Sequence, residues 1–439
     1  MKQPSPTPQD QTITLYVQTG VLRLIPVSMI HVAVSLGTIG ISTFIPAQLA
    51  IIGWEPTIIA LLIGIATLFE VFRLLIGFLG DRYPLFGSYH RNYIIVGLVA
   101  QTSGLVFVSQ TLGSLAILFG MILFTVGSAT VATMTDAYLI DISTSVERGK
   151  VAANIQFFRL LGFAAGGILG AVLYGRLRFE GFFVLLAGIS LLFGIISVLA
   201  IRERSSEIVE NTKKQLNIGR SIQLIKEQLS KREVVAMSFF LVLFLIGLFA
   251  QDAVLEPYAV STFNFTEDNI GGLAAVWGVT TLIFIPLAFF IEKKIGRLLL
   301  SAIGTVIGGL GLLMIAFLGT SSVNSILGLP QIQQLFLLSV AIFGVGLGLL
   351  TTPSTAMMLD VCAKHPKTRT LLLALFGLIT TVGRSSASFF SALVMLGNSF
   401  QLLFILEAII LACSFFPLIW VHRYLSSKAI EGKRLKMAA

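Results

Sequence analysis

Runs of about 20 predominantly apolar residues recur along this chain. That recurrence constrains the fold more than any other feature, because about 20 helical residues is the length that crosses the hydrocarbon core of a bilayer. Twelve runs are read, at roughly 25–45, 56–79, 92–110, 115–139, 151–174, 181–201, 234–256, 270–291, 298–318, 333–358, 370–397 and 400–421, with ends uncertain by about 2–4 residues. The segments between them cannot supply a soluble surface of ordinary size. Only 12% of the 439 residues are charged, against about 25% in a typical soluble domain. The expectation is an all-α, polytopic membrane protein.

A formal charge of +9 raises the question of nucleic acid, which the placement of the basic residues answers. With both termini on one side and that side set in the cytoplasm, all but five of the 30 Lys and Arg residues fall in the termini and the even-numbered loops. Arg176 and Arg178 face the other side, and Arg73, Arg159 and Arg384 sit inside spans. This is the positive-inside pattern, so the basic excess reports topology and no nucleic-acid role follows. A bacterial cytoplasmic or photosynthetic membrane is the expected location. The N-terminus MKQPSPTPQD lacks the basic-then-apolar layout of a cleaved signal peptide, so the first span is expected to be retained. Thr12 to Leu24 reads as an amphipathic approach to it along the interface. Cys362, expected in a cytoplasmic loop, and Cys413, in the last span, supply neither a disulfide framework nor a metal site.

The longest polar stretch, Arg202 to Glu233, carries eight basic residues and separates six spans from six. The expected organisation is a six-helix bundle over 1–201, a cytoplasmic linker over 202–233, a second bundle over 234–421 and a cytoplasmic tail over 422–439. Self-comparison supports homologous halves. At an offset of 219, Phe124, Val126, Gly127, Thr133, Ala137 and Asp141 meet Phe343, Val345, Gly346, Thr352, Ala356 and Asp360. Twelve transmembrane helices in two parallel six-helix repeats are the plan of the major facilitator fold, whose substrates bind between the halves near the midplane.

The loop after the second span reads Gly77-Phe78-Leu79-Gly80-Asp81-Arg82, with His90 and Arg91 before the third. It resembles the major facilitator cytoplasmic signature G-x-L-[AG]-D-R. Its glycines permit close helix approach, while Asp81, Arg82 and Arg91 are suited to pairing with charges at neighbouring helix ends. Asp141, Glu147 and Arg148 after the fourth span are the natural partners; solvated loop charges are the plainer alternative. Glu292, Lys293, Lys294, Gly296 and Arg297 form a degenerate second copy.

Charges inside spans each cost at least about 2.5–3.5 kcal/mol at mid-helix and call for a partner or a wet cavity. Counting about 1.5 Å per residue, Glu70, Arg73, Asp136 and Arg159 lie at similar depth and are expected to cluster, with Glu70 and Arg73 on one face. Arg384 and Glu407 are expected to pair with each other. A structural lock and a ligand site are both open for these sets. Asp252 and Glu256, one turn apart in Gln251-Asp252-Ala253-Val254-Leu255-Glu256-Pro257-Tyr258, show no obvious cation nearby and read either as carboxylates sharing a proton or as a wet helix end. Pro257 is expected to bend or end the helix there. His31 is a candidate ligand for a metal, including the magnesium of a chlorin, or a hydrogen-bonded packing residue. No catalytic constellation is present in the sequence, and an enzyme is not expected.

QDAVLEPY at 251–258 is similar to the QD-x-L-L-E-P-Y-G signature of the PucC family, a branch of the major facilitator fold in phototrophic bacteria. GDRYPLFGSYHRNYIIVG at 80–97 and VERGKVAANIQFFRLLGF at 146–163 extend the resemblance. Ala259 replaces the signature's glycine, and Arg91-Asn92-Tyr93 lacks the family's threonine and proline. The resemblance implies a factor for assembly of light-harvesting complexes that binds or delivers bacteriochlorophyll or chlorophyll to antenna polypeptides, with pigment-synthesis enzymes as further partners. A proton-coupled transporter of a small solute, using Asp252 and Glu256, is the competing expectation.

Overall fold

The computed structural model describes residues 24–110, 113–142, 148–201, 226–320, 328–365 and 369–438. Among these residues the only extended pairing is a single bridge between Leu85 and Ser88, and nearly everything else is helical. Eleven of the helices are long and apolar enough to cross a membrane.

The count differs from twelve because the fifth and sixth expected spans are joined in one helical run, Arg148–Ala200, of 53 residues. At about 1.5 Å per residue a straight helix of that length would measure roughly 80 Å, far more than a bilayer core. The run is not straight. Arg178 has φ 56°, outside the helical region, and the contacts on either side of it run in opposite senses along the first helix. Asn154 Nδ2 donates to Ser28 Oγ at 2.8 Å, and Ser197 Oγ donates to the Pro26 carbonyl at 2.8 Å. Both ends of the run therefore meet the same end of the first helix, and the chain reverses between them.

The crossings are α1 (Leu24–Ile51), α2 (Pro56–Gly80, continuing helically to Arg82), α3 (Arg91–Gln110) and α4 (Ser114–Asp141), then α5 (148–177) and α6 (179–200). The second six are α7 (Arg232–Phe249 with Leu255–Phe263), α8 (Glu267–Ile295), α9 (Arg297–Leu318), α10 (Leu329–Ala363), α11 (Arg369–Met395) and α12 (Phe400–Ala438). Two ends differ from expectation. Helix α10 runs on to Ala363 and buries Cys362, which was expected in a loop. Helix α12 continues past 421 through the segment expected as a tail. The interfacial approach at 12–23 and most of the expected linker, 202–225, lie outside the described residues.

The halves repeat at the level of packing. In the first, a Cβ on Gly97 would fall 2.9 Å from the Gly127 carbonyl oxygen, and one on Gly104 would fall 2.5 Å from the Phe124 nitrogen. In the second, a Cβ on Gly304 would fall 3.0 Å from the Gly346 oxygen, and one on Gly311 2.6 Å from the Phe343 nitrogen. Helices α3 and α4, and likewise α9 and α10, thus approach backbone to backbone, as small residues allow in lipid, where no hydrophobic force drives helices together. The 219-residue sequence repeat has this physical content.

Between halves the chain meets along two seams. On one, α5 lies against α8, with Gly170 facing Gly271 and Gly167 facing Ala274. On the other, α2 lies against α11, where the Phe389 ring covers Gly64. Clustered rings fill each half: Phe44, Tyr174 and Phe182 in one, and Tyr258, Phe263, Phe336 and Phe404 with the half-buried Phe400 in the other.

Candidate functional site

Helices α1 and α7 open their α-winding where they face each other. In α1, Gly40–Phe44 takes a π turn, closed by the Ile45 amide donating to the Gly40 carbonyl. In α7, Phe249 ends the first segment, Gln251–Ala253 forms a 3-10 turn, and Val254 at φ −133°, ψ −9° separates it from Leu255–Phe263. The break therefore lies just before Pro257, which sits in the first turn of the second segment instead of bending or ending the helix at its own position. The physical reason is the missing proline N–H, which a first turn does not need.

The break turns polar groups inward. The Gln251 amide N–H donates to Glu407 Oε1 at 3.0 Å, and its side-chain Nε2 donates to Asp252 Oδ1 at 2.5 Å. Ser391 Oγ donates to the Ala250 carbonyl. Glu256 and Glu407 are 5% and 0% exposed, so of the two readings of this segment the wet helix end does not hold. Tyr258 is buried with its hydroxyl donating to the Ile315 carbonyl at 3.3 Å, in the ring cluster of the second half. It packs, whereas Gln251, Asp252 and Glu256 line cavities.

Arg384 does not pair with Glu407. Its Nη1 stands 3.7 Å from Glu70 Oε1 across the α2–α11 seam, and its guanidinium lies 5.2 Å from the centre of the Phe249 ring. Glu407 is taken instead by the amide freed at the α7 break. Arg384 is also the cation near Asp252 that the sequence did not disclose: both line a cavity of about 30 Å³ between the halves with Glu70, Thr67, Ser128 and Ser388. Small-molecule sites are typically about 300–1,000 Å³, so a solute or a chlorin ring fits here only if the halves part.

The expected four-residue cluster is realised without Glu70. Asp136 Oδ2 accepts from Arg159 Nη2 at 2.8 Å, its Oδ1 is 3.3 Å from His31 Nε2, and His31 Nδ1 accepts from Arg159 Nε at 3.5 Å. Arg73 adds positive charge nearby. Glu70 leaves this set for Arg384 on α11, from a 3-10 turn, Phe69–Val71, that interrupts α2. His31 is fully buried with both ring nitrogens directed at these neighbours.

At the end of the bundle holding the α2–α3 loop, His90 Nε2 lies 3.5 Å from Asp141 Oδ2. The repeat-related contact joins Arg297 to Asp360, and Arg297 Nε also donates to Glu292 Oε1 at 2.7 Å. In both halves a basic residue at the start of the third helix meets an aspartate in the last turn of the fourth. Gly77 approaches Thr133 and Gly80 approaches Met134, which puts α2 close against α4. The Asp81, Arg82 and Arg148 side chains and all of Glu147 lie outside the described residues; Arg91 begins α3 and is exposed. Asn92 caps the loop, its Nδ2 donating to the Leu85 carbonyl at 2.8 Å.

One cluster was not anticipated. Glu233 Oε1 accepts from Tyr424 Oη at 2.9 Å and lies 3.1 Å from His365 Nε2, tying α7, α10 and α12 together. Glu233 and His365 fall at helix ends, where charged side chains carry no signal in sequence, and Tyr424 lies within α12.

A family model described as PUCC protein matches residues 49–424, which includes every cavity-lining residue from Asp252 to Ser388. The chain belongs to the PUCC protein family. Among solved structures, this PUCC-family chain is similar to the nucleoside transporter NupG, with TM-score 0.67 and 12% identity over 91% of this chain and 99% of that one. It is also similar to a POT family transporter in complex with 5-aminolevulinic acid, with TM-score 0.71 and 13% identity over 91% and 96% of the two chains. A POT family transporter in complex with a thioalcohol-conjugated peptide gives TM-score 0.68 at 13% identity over the same shares. At these identities the likeness is one of fold, and the fold is that of the major facilitator transporters. A comparison with curated protein sequences gave no match.

Proposed function

We propose that this PUCC-family protein is a membrane assembly factor for light-harvesting antenna complexes that binds bacteriochlorophyll or chlorophyll and delivers it to antenna polypeptides. Family membership over 49–424 supports this reading. The protein sits in a bacterial cytoplasmic or photosynthetic membrane with both termini in the cytoplasm. The pigment does not occupy the cavity at Glu70 and Arg384 while the halves are closed, for want of space. His31 is fully buried, with Nδ1 accepting from Arg159 and Nε2 3.3 Å from Asp136, so a magnesium ion reaches it only if these neighbours move. The reading therefore places the pigment on lipid-facing helix surfaces, or between the halves after they separate. Protein purified from a phototrophic host is expected to carry a chlorin absorption band. A colourless preparation that restores antenna assembly on return to the host would remove pigment binding from the role.

A second reading, proton-coupled transport of a small solute, is favoured by one observation: Asp252 shares with Arg384 and Glu70 the cavity between the halves. Proton-dependent uptake into vesicles tests it.

A further inference from the structure

The break in α7 leaves more oxygen than the protein satisfies. Gln251 is 2% exposed, yet its Oε1 has no hydrogen-bond donor, and Glu256 Oε2 lacks one too. Both residues line one small cavity, of about 10 Å³, whose α1 wall is Ser42 and Thr43 from the π turn. Thr43 interacts directly with Glu256. A buried amide oxygen without a partner carries the desolvation penalty of an orphaned group, about 1–3 kcal/mol. The Gln251 amide nitrogen is already committed to Asp252, so its oxygen is held pointing away from that contact.

We propose that this cavity is a binding site for a small monovalent metal cation, of which sodium is the fitting size. Gln251 Oε1, Glu256 Oε2 and the hydroxyls of Ser42 and Thr43 supply the hard oxygen ligands that such ions require. Asp252 is engaged by Gln251 Nε2 and lies near Arg384, which leaves Glu256 as the cavity carboxylate with no ion-pair partner among the described residues, where one monovalent cation can take the place of its proton. Unwound segments of facing membrane helices are where transporter folds place coupling ions, and here the two segments belong to repeat-related helices, one from each half. The ion binds α1 and α7 together and so favours the arrangement in which those helices touch. Trp277, whose Nε1 is a donor without an acceptor, also lines the cavity. The site is independent of the pigment reading.

The test is the thermal midpoint of the purified full-length protein in sodium, potassium and choline chlorides at equal ionic strength, at pH 6 and pH 8. Sodium is expected to raise the midpoint in a saturable way that choline does not reproduce, since a ligand that binds only the folded state stabilises it by mass action. Gln251→Leu and Thr43→Val are expected to shift the sodium concentration for half effect upward by roughly tenfold, the equivalent of one lost ligand. Should Gln251→Leu fail to fold, the wild-type comparison of sodium with choline still decides. Equal midpoints in all three salts at both pH values overturn the proposal. So does a midpoint that moves with pH and never with sodium, which would make the cavity a proton site.

Discussion

Arg384 of α11 reaches Glu70 of α2 at 3.7 Å, joining the two halves across the α2–α11 seam. Neither charge has another ion-pair partner within 4 Å among the described residues. The expected consequence is strong coupling. Glu70→Ala and Arg384→Ala should each destabilise the protein, and the double variant should lose less than their sum, with an interaction of roughly 0.5–3 kcal/mol. Thermal unfolding of the four proteins in one detergent measures it. Additive losses would show that the pair is incidental.

Removing Asp136 leaves Arg159, and the positive charge of Arg73, unbalanced beside a buried histidine. The pair is 27% and 32% exposed, so Asp136→Asn is expected to cost about 1–3 kcal/mol, less than one-sided removal from a fully buried pair. His31→Gln, which removes no fixed charge, should cost less. Equal losses, read as membrane abundance and midpoint, would contradict this account.

Gly104→Ala and Gly311→Ala test the packing repeat. Each inserts a methyl against the backbone of the neighbouring helix, and overpacking of this kind costs about 1–3 kcal/mol. Gly309 has open space where its Cβ would go, so Gly309→Ala should be neutral or stabilising by about 0.5–1 kcal/mol through helix propensity. A similar loss at all three positions would mean that helix approach is not what these glycines provide.

Much of this was legible beforehand for a simple reason: apolar run length and charge placement report how deep a residue lies. Asp136 and Arg159 could be matched from depth alone, and they meet. Depth says nothing about which way a side chain points around its helix. The Arg384–Glu407 expectation failed on that point, because α11 turns Arg384 toward α2 while Glu407 is claimed by the Gln251 amide. Glu70 was misassigned for the same reason, since its side chain meets α11 at Arg384 and not α4 or α5. The reversal at Arg178 was read correctly as two spans, although the helical winding hides it. The π turn in α1 and the Glu233–His365–Tyr424 contact had no sequence signal, since both depend on which helices become neighbours.

Orientation follows from the basic residues and is testable independently of the fold. Reporter fusions after residue 215 are expected to report a cytoplasmic location, and fusions after residue 325 a periplasmic one. A periplasmic signal at the first site would invert the topology.

The backbone contacts of Gly170 with Gly271 and of Gly167 with Ala274 give the α5–α8 seam the character of a smooth bearing, with Phe163 set edge-on to Trp277 further along it. The opposite edge is a latch, with Phe389 seated on Gly64 and Arg384 held to Glu70. A two-part body with a bearing on one edge and a latch on the other parts like a shutter at the latch. The slit so formed between α2 and α11 opens sideways into lipid, on the route that a flat apolar molecule would take without ever crossing water.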